Sequence, residues 1–264
     1  MVAGYFYPSN SKKLLDELET LLSISNPKLN LQSITGIISP HAGYIYSGRT
    51  AAFAYSLLKE KEINKVIIIS PSHREYFPGI CIYDGDGYET PLGIVKVDTS
   101  FVDKMVRDSK IIYKGIEGHR EEHAIEVQIP FLQRMLTEFK IIPIVMGDQG
   151  QIYIDELANK IYQVADEKTL IVASSDLSHY YSKKEADQLD SIVENDINEF
   201  NYEKLQNDLD YKNCEACGGG PIIVLMKAAS LMNKKHAVVL NRSNSGDITG
   251  DYNGIVGYLS AVIY

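Results

Sequence analysis

Lys65-Val66-Ile67-Ile68-Ile69-Ser70-Pro71-Ser72-His73 reads as a buried strand that stops at a proline and hands the chain to a histidine. Its first six residues carry a continuous β-branched run without polar alternation. That pattern suits a parallel strand covered on both faces. Proline then removes a backbone donor and fixes φ, so pairing ends and the next residues turn outward. Three more runs have the same shape. Residues 34–39 lead into Pro40-His41-Ala42-Gly43-Tyr44, Thr169–Ser174 into Ser175-Asp176-Leu177-Ser178-His179, and Lys140–Met146 into Gly147-Asp148-Gln149.

Helical spacing separates these runs. Leu14, Leu15, Leu18, Leu21 and Leu22 make one apolar face over residues 11–22, with Asn10 or Ser9 as the cap. Further helices are predicted at 48–59, 121–139 (bent or broken at Pro130), 154–164, 182–200, 202–209 and 221–232. Residues 80–83 and 93–97 flank a Gly-rich turn and read as an antiparallel excursion. Residues 237–240 and 255–262 close the sheet. Strand–helix alternation of this kind predicts an α/β fold, a single-domain α/β/α sandwich over residues 1–264 with a mainly parallel central sheet.

The chain has a formal net charge of −9 and no basic stripe, which argues against nucleic-acid binding. No apolar run approaches the ~20 residues that span a bilayer, and the first residues lack a signal-peptide pattern. A cytoplasmic location without membrane contact is expected. Reducing conditions disfavour disulfides, so Cys81, Cys214 and Cys217 read as core, redox or ligand groups.

In open α/β sheets ligands sit outside the carboxyl ends of the strands. The four polar clusters are therefore predicted to converge on one crevice. His41 and His73 occupy matching Ser-Pro-His and Ser-Pro-Ser-His settings, suited to metal ligation or, more plainly, to capping turns. Cys217 lies in Cys214-Glu215-Ala216-Cys217-Gly218-Gly219-Gly220-Pro221, just before a helix whose N-terminus would favour thiolate. Cys214-x-x-Cys217 also reads as half a zinc knuckle, a redox pair, or two buried thiols. The Gly218–Gly220 run lacks the lysine of a phosphate loop.

His123 opens the predicted helix at 121, three residues from Glu126 on the same face, where neutral imidazole could act as a base. Asp176 and His179 are also three apart, fit for acid–base work or for orienting a ligand; the plain alternative is a helix cap beside an exposed histidine. His119 reads as a loop residue, His236 as structural and Cys81 as core. The segment 245–254 reads as an ordered loop in which a cation is the less favoured reading.

Several of these strings, taken together and in order, resemble the Memo family. They are Ala3-Gly4-Tyr5-Phe6-Tyr7-Pro8, Ser39-Pro40-His41-Ala42-Gly43-Tyr44, Ser70-Pro71-Ser72-His73, Glu122-His123-Ala124-Ile125-Glu126, Ser174-Ser175-Asp176-Leu177-Ser178-His179 and Cys217-Gly218. The segment Ser245-Gly246-Asp247-Ile248-Thr249-Gly250-Asp251-Tyr252 is similar to the prokaryotic branch, AmmeMemoRadiSam system protein B. The resemblance implies a fold similar to class III extradiol dioxygenases and a His41, His73, Cys217 set binding iron(II) or copper, with zinc as a further candidate. It also implies radical-SAM and AMMECR-type partners. Two departures matter. A thiolate stands where those dioxygenases carry a carboxylate, which alters the softness of the site. Gly219-Gly220 stands where the eukaryotic, phosphotyrosine-peptide-binding branch has Arg-His.

Three functions follow as expectations. The first is a metal-dependent redox protein of unknown substrate, with His123, Asp176 and His179 moving protons or orienting ligands. The second is a non-catalytic adaptor that binds a peptide or protein in the inherited pocket. The third is metal-assisted hydrolysis.

Overall fold

The computed structural model describes residues 2–264. Its strands are β1 (Gly36–Ser39), β2 (Lys65–Pro71), β3 (Ile80–Tyr83), β4 (Gly87–Thr90), β5 (Gly93–Lys96), β6 (Ile112–Gly115), β7 (Lys140–Met146), β8 (Thr169–Ser174), β9 (His179–Ser182), β10 (Ala237–Asn244) and β11 (Asn253–Ile263). Helices α1 (Ser11–Ile24), α2 (Tyr44–Ser56), α3 (Thr99–Val106), α4 (Ile129–Met135), α5 (Gln151–Val164), α6 (Lys183–Asn198), α7 (Tyr202–Asp210), α8 (Gly219–Leu231) and α9 (Gly246–Thr249) complete the chain.

The main sheet runs β10-β11-β1-β8-β2-β7-β3-β6, with β9 attached to β11. The centre, β1-β8-β2-β7, is parallel throughout. The wings turn it into a mixed sheet: β11 is antiparallel to β1, β10 and β9, and β3 is antiparallel to β7. The mainly parallel expectation therefore holds for the strands that matter to the site, where continuous apolar runs are needed on both faces. Ile67, Ile68 and Ile69 of β2, Ile142 and Ile144 of β7, and Leu170 and Val172 of β8 are inaccessible to solvent.

The two helical layers follow from side-chain pattern. In α1, Asn10 accepts the Lys13 N–H at 3.0 Å as the cap, and Leu14 and Leu18 point one turn apart into the core. Helix α8 is apolar around its circumference because α5 and α7 pack on it while it lies on β8.

Several boundaries differ from the sequence reading. Helix α2 starts at Tyr44, not at 48, so His41 sits on a short link between β1 and α2. The predicted helix 121–139 does not form as one unit. A 3-10 turn at Glu126–Gln128 precedes α4, and Pro130 lies in the first turn of α4 without bending it. Ahead of that turn the Glu122 carboxylate accepts the His73, His123 and Ala124 backbone N–H groups, tying the segment to the end of β2.

The predicted excursion is also rearranged. Residues 93–96 pair with Gly87–Thr90 in a separate two-stranded sheet, while Ile80–Tyr83 joins the main sheet between β7 and β6. In segment 245–254 the Asp247 carboxylate accepts the Asn244 N–H at 3.1 Å and the Tyr252 hydroxyl at 3.4 Å, so it serves the turn itself. No described helix is long and apolar enough to cross a membrane.

Candidate metal centre

Parallel register brings the reactive ends together. Ser39 of β1 lies opposite Ser174 of β8, and Ile69 of β2 lies opposite Ala173 of β8. The residues that follow these positions therefore leave the sheet on the same edge.

His41 is held with its tautomer determined. Its ring Nδ1 is 2.9 Å from the Ser174 hydroxyl. That hydroxyl donates its single proton to the Ala124 carbonyl at 2.7 Å and accepts from the Gln128 amide at 2.8 Å. Gln128 is itself oriented, because its Nε2 also donates to the Pro40 carbonyl and its Oε1 accepts from Tyr55. Nδ1 of His41 must carry the proton, which leaves Nε2 as a bare lone pair. Burial and the neighbouring His73 push the His41 pKa down to about 3, so the ring is neutral.

His73 is anchored differently. Its Nδ1 is 2.9 and 3.1 Å from the two Glu122 oxygens, and its backbone N–H donates to the same carboxylate at 2.8 Å. A carboxylate only accepts, so Nδ1 donates, and Nε2 is the nitrogen that a neutral ring would offer to an ion. Burial works against the ionised Glu122, but the His73 hydrogen bond and charge outweigh it and hold the carboxyl at about 2.

Cys217 arrives from the loop before α8. Its Sγ lies 3.2 Å from Nε2 of His41 and accepts the Asp176 N–H at 3.3 Å. Gly218 makes this approach possible, since a Cβ there would run into the Ser174 carbonyl and Ser175. Gln149 ties the loop to the end of β7, donating to the Cys217 carbonyl at 2.8 Å and accepting the Gly220 N–H at 2.7 Å. The sequence reading expected the helix N-terminus to favour thiolate. Instead, burial and then the Asp176 charge push the thiol well above its ordinary range. Beside a neutral imidazole it stays protonated, so this pair lacks the ionised nucleophile that thiol catalysis uses. A bound cation reverses that balance by taking the thiolate as ligand.

The ligand atoms of His41, His73 and Cys217 all lie within 4.8 Å of one another. Two imidazoles and one sulfur suit a borderline or soft transition ion. His123 stands beside them, stacked on His73 at 5.0 Å and edge-on to His41 at 5.4 Å, with Phe6 packed on its other side at 4.5 Å. Burial chiefly pushes its pKa down to about 4. It does not share a face with Glu126, which instead accepts the Val2 N–H and the Tyr7 hydroxyl. Asp176 is buried and accepts the His41 N–H at 2.8 Å, with burial raising its pKa. His179 lies on β9 and lines, with Cys217, Gln149, Leu177, Leu209 and Ile223, a cleft of about 450 Å3.

The remaining residues stay outside. Cys214 is buried and joins no ligand group among the described residues. Cys81 is in the core. His119 is in a loop, as read, but buried, with Nε2 donating to the Cys81 carbonyl. His236 stacks on Tyr264. The sequence reading gave no role to Ser174, Gln128 or Glu122, the three residues that aim the imidazoles. Glu122 and Ser174 each carried a signal, standing in the quoted motifs with His123 and Asp176; Gln128 carried none.

The comparisons agree along the whole chain. Residues 1–262 match the family described as Memo-like protein. A MEMO1 family protein of Thermoplasma volcanium is 38% identical, covering 99% of this chain and 96% of its own. One of Methanocaldococcus jannaschii is also 38% identical, covering 99% and 97%. A solved structure of an uncharacterized Escherichia coli protein is similar at a TM-score of 0.56 with 12% identity, covering 88% of this chain and 100% of that one, and it bears on the fold alone. With its length matched almost end to end and more than a third of its residues identical to such relatives, the chain belongs to the Memo family.

Proposed function

We propose that the chain is a metal-dependent redox protein in which His41, His73 and Cys217 hold one iron or copper ion. The observation that carries this reading is the convergence of two imidazoles and a sulfur, distant in sequence, to within 4.8 Å. Zinc is the alternative ion, and with it the chemistry would be hydrolytic. A redox-active ion held by three protein groups has positions left for oxygen or a substrate.

The protein's own groups have separable roles in this proposal. His123, neutral and beside both ligand rings, accepts a proton from a bound small molecule. Asp176 holds the His41 backbone and the Cys217 sulfur in register through its carboxylate and its N–H. His179 faces the cleft from the Cys217 side and holds or delivers a proton there. Phe6 shields the outer face of His123 from water.

Elemental analysis of anaerobically purified protein tests the reading. It expects about one equivalent of iron or copper per chain, lost in Cys217→Ala and His41→Ala. Protein that binds no transition ion with any preference for wild type over those variants overturns it.

A second reading has its own observation. Tyr5, Tyr76 and Tyr180, each close in sequence to a site residue, are 91%, 79% and 79% exposed. Exposed aromatics of this kind suit a peptide or protein partner. The radical-SAM and AMMECR-type proteins are the partners proposed under this reading. Co-purification with them, without turnover of redox substrates, would favour it.

A further inference from the structure

The two ligand histidines are backed by partners of different charge. Behind His41 stands the Ser174 hydroxyl, supported by the Gln128 amide, and both are neutral. Behind His73 stands the Glu122 carboxylate, whose side chain is 1% exposed. Water therefore screens it little. Among the described residues its ion-pair contacts are with the imidazoles of His73 and His123 and not with a lysine or arginine. The nearby Arg120 is taken by Glu75. A buried charge with no lysine or arginine beside it is costly to fold around. A cation in the adjoining pocket offsets that cost.

We propose that Glu122 is a positioning residue that also sets charge selectivity, making the pocket favour a divalent over a monovalent ion. This rests on the metal reading above and adds to it the class of ion. With Cys217 bound as thiolate, the pocket turns that charge directly toward its occupant and the Glu122 charge through the His73 ring, beside the Asp176 carboxylate, whose Oδ2 is 4.0 Å from Nε2 of His41. Coulomb attraction scales with the charge of the ion, so each of those charges counts twice as much for a dication as for Cu(I). A residue that only orients His73 would change both affinities by one factor. A residue that also supplies charge changes the divalent affinity by roughly the square of the monovalent factor.

The test is anaerobic competition titration of Fe(II), Zn(II) and Cu(I) against the full chain, in wild type, Glu122→Gln and Ser174→Ala. Glu122→Gln keeps the shape and removes the charge. It is expected to weaken Fe(II) and Zn(II) by about 10–100-fold and Cu(I) by only about 3–10-fold. Ser174→Ala removes a neutral support and is expected to weaken all three ions by a similar factor. Equal losses for divalent and monovalent ions in Glu122→Gln overturn the proposal.

Thermal unfolding shows whether each variant folds. If Glu122→Gln does not, Glu122→Asp and Glu122→Asn are compared, which share one reach and differ in charge. The divalent-to-Cu(I) affinity ratio is expected to be higher in the Asp variant, and equal ratios overturn the proposal. Wild type that binds none of these ions removes the metal reading itself, an outcome distinct from bound ions with an unchanged ratio.

Discussion

Sγ of Cys217 lies 3.2 Å from Nε2 of His41, across 176 positions of sequence. The contact joins a protonated thiol to an imidazole whose free nitrogen is a lone pair, because Ser174 and Gln128 force the proton onto Nδ1. A cation entering between such groups releases the thiol proton, so ion binding is coupled to proton release. The following outcomes are expected from that relationship and from the packing behind it.

Replacing Ser174 with Ala removes the acceptor for His41 Nδ1 and leaves the Gln128 amide and Ala124 carbonyl short of a partner. Unsatisfied buried groups cost about 1–3 kcal/mol each. Denaturant unfolding should show a loss of at least about 1–3 kcal/mol, and metal titration a drop of about 10-fold or more as the imidazole loses its fixed tautomer. A variant with wild-type stability would show that the hydroxyl is not the lock.

Gly218→Ala and Gly219→Ala should behave differently although they are neighbours. At Gly218 the new methyl meets the Ser174 carbonyl and Ser175, which belong to the sheet edge and cannot retreat. Overpacking of this kind costs about 1–3 kcal/mol, and the displaced Cys217 loop should weaken metal binding as well. At Gly219 the methyl meets the flexible end of Leu209, and helix propensity favours alanine by up to about 1 kcal/mol. Melting temperatures and metal affinities of the two variants check the contrast, and equal losses would contradict it.

His119 makes stability depend on pH. Its Nε2 donates to the Cys81 carbonyl and its Nδ1 accepts from Tyr88, so the folded protein holds the neutral ring. Burial pushes its pKa down to about 4 from an ordinary 6.5. The unfolded chain thus binds the proton more readily than the folded one. The contribution is fully present above pH 6.5 and is lost as pH falls toward 4, a total on the order of 3 kcal/mol. The difference in unfolding free energy between wild type and His119→Gln should shrink steadily as pH is lowered through that window. A difference that does not change with pH would contradict the assignment.

Truncating Ile68 to Ala, at the inaccessible centre of β2, should cost about 2–5 kcal/mol because the flanking parallel strands cannot close the cavity. Metal affinity, measured well below the new melting temperature, should change little, since the ligands sit at the strand ends. A large loss of affinity would mean that the strand ends are less independent of the core than the sheet suggests.

Local pattern made much of this architecture legible. Continuous β-branched runs at β2, β7 and β8 need two apolar faces, and prolines after β1 and within β2 stop pairing where the chemistry begins. The cap at Asn10 and the apolar stripe of α1 were equally readable, because both depend on neighbours within one helical turn. Less legible were elements whose cause lies elsewhere in the chain. The helix read at 121–139 fails at its start, where Glu122 gives its carboxylate to His73, a residue 49 positions away. The hairpin partner of Gly93–Lys96 was misassigned because strand pairing is settled by register and not by propensity.

By itself the sequence determined which residues were candidates for chemistry, since residue type and position after a strand are local properties. His41, His73, Cys217, Asp176, His179 and His123 were all candidates on those grounds. Only the tertiary structure decided how they are aimed and charged. The bare nitrogen of His41, the orientation of His73, the protonated state of the thiol, and the contacts of Ser174, Gln128 and Glu122 depend on hydrogen bonds and burial between distant segments. Those interactions exist only once the sheet has brought the segments to one edge.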